Sequence, residues 1–103
     1  MISKRNTKSK NDISLILSSV RALWGVVTPS VRSVSTEIRN DTIIWQCIFD
    51  IEATEEEMEL MSDAASEVIS DFNNLTLDER IIKIHSPIKI DHLKNLIFLR
   101  KEE

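Results

Sequence analysis

The stretch from Val34 to Ile51 constrains the fold most, because two alternating runs flank one short polar pair in matching register. Val34, Thr36 and Ile38 share one face of a strand, and Ile43, Trp45, Cys47, Phe49 and Ile51 share one face of the next. With Asn40-Asp41 as a two-residue turn, Ile38 stands opposite Ile43, Thr36 opposite Trp45, and Val34 opposite Cys47. Both apolar sets then fall on the same side, and a slip of one residue would turn one set to water. A hairpin with one apolar face needs a cover, so helices are expected over it.

Two helical patterns supply that cover. Upstream, Asn11 or Asp12 can cap a helix whose apolar residues Ile13, Ile16, Leu17, Val20, Leu23, Trp24 and Val27 form one wide stripe, read as the buried side. Gly25 and Thr28-Pro29 end it. Downstream, Thr54 followed by Glu57 is a capping box, and Met58, Met61, Ala65, Val68, Ile69 and Phe72 make the second buried stripe, up to Asn73-Asn74. "ERIIKIH" and "NLIFLRK" read as two further strands with Ser86-Pro87 between them. The expected architecture is a two-layer α+β domain of order α-β-β-α-β-β, with two helices on one face of a four-stranded antiparallel or mixed sheet. At 103 residues this is one domain, residues 12–103, preceded by a basic arm at 1–11 expected to be disordered.

Charge divides the chain. The arm holds Lys4, Arg5, Lys8 and Lys10 without an acid. Removing those four from thirteen bases leaves nine against seventeen acids, so residues 12–103 carry −8. Such a body repels nucleic acid and attracts a basic partner, and the arm has no aromatic residue to stack a base. No direct nucleic-acid binding is expected. The N-terminal segment lacks the apolar run of a secretion signal, and no apolar stretch approaches the roughly 20 residues of a membrane span. With Cys47 the only cysteine, a reducing cytoplasm is the simplest home, with no membrane contact.

The residues offer little to a catalyst. One glycine excludes a glycine-rich phosphate loop. Cys47, between Trp45 and Phe49, reads as a buried structural thiol rather than a nucleophile. His85 and His92, seven apart across a proline, match no metal-ligand spacing. The expectation is a non-enzymatic protein with no cofactor and no metal.

What stands out instead is the second helix. From Asp50 to Asp71, both included, there are nine carboxylates and no lysine or arginine. Advancing about 100° per residue places Glu59, Asp63, Glu67 and Asp71 within about 60° of Glu56 and opposite the apolar stripe. Like charges at this spacing destabilise a helix by a few tenths of a kcal/mol each, and a merely solvated face usually mixes lysine into the row. Leu60 falls inside the acidic sector, where an apolar side chain ringed by charge has the anatomy of a contact site. Glu56, Glu59, Leu60, Asp63, Glu67 and Asp71 are therefore the candidate partner-binding residues. Arg32 is left without an assigned partner.

The segments "ALWGVVTPSVRSVS" (22–35), "IIWQCIFDIEATEEEMEL" (43–60), "EVISDF" (67–72) and "IFLRKEE" resemble small bacterial immunity proteins of contact-dependent growth-inhibition systems, the CdiI type. Trp24 and Cys47 stand where that pattern often has other apolar residues, and the basic arm is long. The resemblance implies a cytoplasmic protein that binds the cognate C-terminal toxin domain one to one and blocks its active site. Such toxins are commonly nucleases, including RNases, whose basic phosphate-binding surface would suit a row of carboxylates. The alternative is a small acidic regulatory adaptor that docks a basic cellular protein without inhibiting a nuclease. A toxin reading frame beside this one would favour the first.

Overall fold

A computed structural model describes residues 10–102. Its elements are α1 (Lys10–Leu23), β1 (Val31–Arg39), β2 (Thr42–Phe49), α2 (Glu55–Ile69), β3 (Thr76–Lys83) and β4 (Asn95–Leu99). They form the α+β order expected, with the strands in one mixed sheet ordered β3-β2-β1-β4.

The central hairpin has the expected register, with Ile38 paired to Ile43, Thr36 to Trp45 and Val34 to Cys47. Asn40 and Asp41 both take positive φ, 51° and 64°, the turn whose twist matches that of paired strands. Ile51 departs from the expectation. Strand β2 ends at Phe49, and Ile51 is exposed in the turn beyond it. The chain leaves the sheet there because Asp50 bonds back to the Ser30 carbonyl and Thr54 then opens α2.

Strand β3 runs parallel to β2, from Thr42 opposite Thr76 to Phe49 opposite Lys83. The helical crossover through α2 permits that parallel pairing, which a tight turn would forbid. Strand β4 pairs antiparallel with the other edge, β1. Residues 84–94 therefore cross from one edge to the other. They bond to the sheet's second face, where Gln46 Nε2 donates to the Asp91 carbonyl and the Leu93 amide donates to Ser35 Oγ.

The first face carries the main core. Ile43, Trp45, Cys47 and Phe49 of β2 and Val31 and Val34 of β1 pack against Leu15, Ala22 and Leu23 of α1 and Met61, Ala64, Ala65 and Val68 of α2. The capping box at Thr54 is present in both directions, with the Glu57 amide donating to Thr54 Oγ1 and the Thr54 amide donating to Glu57 Oε1. Helix α2 buries its expected side, with Met58, Ile69 and Phe72 at the margin of the core.

Helix α1 does not. The stripe read as buried lies largely outside: Ile13 is 50% exposed, Leu17 61%, Val20 54% and Trp24 86%. Leu15, Ser18, Ser19, Ala22 and Leu23 face the sheet instead. Trp45 and Phe49 fill the sheet's surface beneath, so small side chains let the helix approach closely, where a second bulky layer would overpack. Asp12 is not a cap either. Lys10, the first described residue, is already helical, and Asp12 is buried, accepting from Lys94 Nζ at 2.8 Å and Asn95 Nδ2 at 3.4 Å. Lys10 and Asn11, assigned to the arm, are helical, and the rest of that arm lies outside the described residues.

Candidate partner-binding site

Capping and dipole set the acidic helix in place. Glu55, Glu56 and Glu57 occupy the first turn of α2, where the positive end of the helix dipole favours carboxylates. Beyond that turn Met61, Ala64, Ala65 and Val68 commit one side to the core, which directs the acids outward. Glu56, Glu59, Asp63 and Glu67 are all exposed. No lysine or arginine occurs in the helix to neutralise them.

Leu60 is exposed within this row, and a shallow depression brings it together with Glu56, Glu57, Glu59 and Asp63. On the β3 side, Glu59 and Glu55 border a second depression that also takes Glu79 of β3. The negative field thus reaches past the helix onto the sheet edge. Asp71 is placed differently from the other five. It lies beyond the end of α2 and accepts a 2.6 Å hydrogen bond from Ser18 Oγ, with Arg21 at 3.7 Å, so it ties α2 to α1.

Across that seam lies the uncovered side of α1. Its apolar residues continue into a groove of about 340 Å³ between the end of α1 and β4, lined by Val20, Leu23, Trp24, Val27, Ile97 and Phe98. Exposed apolar surface grouped in this way marks contact sites far more often than scattered single residues do. The sequence contained the signal, a wide apolar stripe on a helix, but a stripe alone does not say which way it points.

Arg32 also finds its partners. It is 2% exposed, and its guanidinium forks onto Glu102, Nε to Oε2 at 2.7 Å and Nη2 to Oε1 at 2.8 Å, while Nη1 donates to the Ile84 carbonyl. Arg100 joins Glu102 to Asp50 with 3.0 Å contacts to each. The bond from Arg32 holds the Glu102 carboxyl at about 2. Donation from Arg100 and the Ser86 amide holds Asp50 at about 2. These groups pair with each other and anchor the C-terminal residues to β1, a structural task.

Burial pushes the Cys47 thiol up to about 12, the reverse of what a nucleophile requires. Among the described residues, no three histidine, cysteine or acidic side chains are placed to hold a metal ion. No helix among them is long and apolar enough to cross a membrane.

The sequence profile of the MafI2 immunity protein family matches residues 12–102, nearly the whole described chain. No curated protein matches. The chain belongs to the MafI2 immunity protein family. The expected toxin-immunity character is thereby supported, through a family related to the CdiI type rather than the CdiI type itself, and membership implies a cognate toxin as partner.

Proposed function

From membership of this immunity family we propose that the protein, in the cytoplasm, binds the cognate toxin domain one to one and blocks its active site without chemistry of its own. The toxin is a basic nuclease, an RNase of the kind delivered in contact-dependent growth inhibition. The observation that carries this reading is the exposed row Glu56, Glu59, Asp63 and Glu67 on a helix without a basic residue, with Leu60 set among the acids. A solvated helix gains from alternating signs, whereas a row of one sign raises the encounter rate with an oppositely charged partner. A nuclease must be positive where it holds phosphates, so the same row both steers and competes for that surface. Asp71, engaged with Ser18 and Arg21, contributes by holding α2 beside α1.

The test is co-expression of this chain with the toxin domain encoded by the neighbouring reading frame. Growth and intact cellular RNA should be restored by the wild-type chain and lost when Glu59, Asp63 and Glu67 are reversed to lysine. A neighbouring domain that leaves RNA intact would remove the nuclease assignment, and a toxic domain that this chain does not neutralise would remove the reading altogether.

A further inference from the structure

We infer that the outward side of α1 and the turn that ends it, led by Leu17 and Trp24, is the affinity-bearing half of the toxin interface and receives an apolar side chain of the basic toxin. The inference rests on the toxin-binding reading above and adds to it a second surface with different chemistry. Trp24 is 86% exposed and Leu17 61%, and neither is needed to fill the core, which α1 closes with Leu15, Ala22 and Leu23. Tryptophan is the residue most enriched among positions that dominate interface energetics, because it presents a large rigid apolar area to be desolvated. The groove beside Trp24, about 340 Å³ and walled by Val20, Val27, Ile97 and Phe98, has room for a partner's aromatic or long aliphatic side chain.

Charge and continuity identify the occupant. Helix α1 packs beside α2 on the same face of the sheet, joined to it through Ser18, Arg21 and Asp71. Leu17 borders the depression at that seam, next to Asp71 and Phe72. The apolar side of α1 and the acid row of α2 are therefore two halves of one outward layer. A second copy of this chain carries the same negative sign, −4 over the whole sequence and −8 over residues 12–103, so the two bodies would repel. A partner with cations beside an apolar projection matches both halves at once. The division of labour follows: the acids of α2 speed encounter, and Trp24 slows escape.

The experiment is binding kinetics between the full-length protein and the toxin domain of the neighbouring reading frame, inactivated in its active site, on a sensor surface. Trp24→Ala should accelerate dissociation roughly 30-fold, the scale of a hot-spot tryptophan, with association within about twofold of wild type. Leu17→Ser should move the same rate in the same direction, as a second variant independent of Trp24. Ile88→Ala, an exposed apolar residue outside both helices, should change neither rate. Circular dichroism and melting confirm that each variant is folded. If wild type binds and neutralises the toxin while both α1 variants dissociate as slowly as wild type, the inference fails and the function stands. If wild type does not bind the toxin, both fail. If sedimentation finds a wild-type dimer that Trp24→Ala dissociates without altering toxin binding, the face pairs copies of this chain and the inference is overturned.

Discussion

Helices α1 and α2 lie side by side on the same sheet, are of similar length, and each carries an apolar stripe, yet they treat that stripe in opposite ways. Helix α2 turns Met61, Ala65 and Val68 inward and shows carboxylates to solvent. Helix α1 turns Ser18, Ser19 and Ala22 inward around Leu15 and shows Ile13, Leu17 and Val20, a stripe that Trp24 extends in the turn just past its end. The difference teaches that a helix is oriented by what its floor can accommodate and by where it is tethered. Asp12 holds one end of α1 to Lys94 and Asn95, and Ser18 holds its middle to Asp71. Rotating the bulky stripe inward would break both tethers and drive large side chains against Trp45 and Phe49.

The shared floor is the place to break this comparison most severely. Phe49 is fully buried beneath the helices, and Phe49→Ala should cost about 3–5 kcal/mol in denaturant unfolding. A loss under about 1 kcal/mol would mean the β2 register places the residue elsewhere.

The orientation of α1 itself is tested by two leucines two positions apart. Leu15→Ala should destabilise by about 2–5 kcal/mol, as for a leucine with no room to relax. Leu17→Ala should stay within about 0.5 kcal/mol. Equal losses at the two positions would contradict the inward turn of Leu15.

For α2, reversing Glu59, Asp63 and Glu67 to lysine should leave the melting temperature unchanged or slightly raised, since like-charge strain is relieved. Association with the toxin domain should slow about tenfold or more at low salt and the remaining rate should depend less on ionic strength. Stopped-flow mixing at two salt concentrations measures both. Association as fast as wild type at low salt would reduce the acid row to a solvated face.

The smallest effect is expected at the ion network that neither helix touches. Asp50 and Glu102 are held at about 2 in the folded protein, below the usual carboxylate range, so the unfolded chain takes up their protons first as pH falls. Their contribution is full above the ordinary carboxylate values and is lost between there and about pH 2. Glu102→Gln should flatten that acid limb in pH-dependent unfolding curves, and an unchanged limb would show that Arg32 does not select the charged form.

The legible parts of the fold were those in which neighbours in sequence settle the outcome. The hairpin followed from alternation meeting a two-residue turn at Asn40-Asp41, and the start of α2 from Thr54 and Glu57 acting on each other's amides. The outward position of Glu56, Glu59, Leu60, Asp63 and Glu67 followed from helical spacing once Met61 and Val68 were inside. Asp71 was placed in the same row by spacing alone, but α2 ends two residues before it and α1 supplies its partners. Ile51 failed similarly, since its alternation outlasted the strand.

By itself the sequence determined the element order, the hairpin register, the absence of a glycine-rich loop and the one-signed charge of α2, because each depends on residues within a few positions or on composition. Only the tertiary structure decided which side of α1 meets the sheet, that β3 lies parallel to β2, and that Arg32 pairs with Glu102 seventy residues away. Those outcomes depend on the volume left by distant side chains and on contacts across the sheet, and no periodicity encodes either.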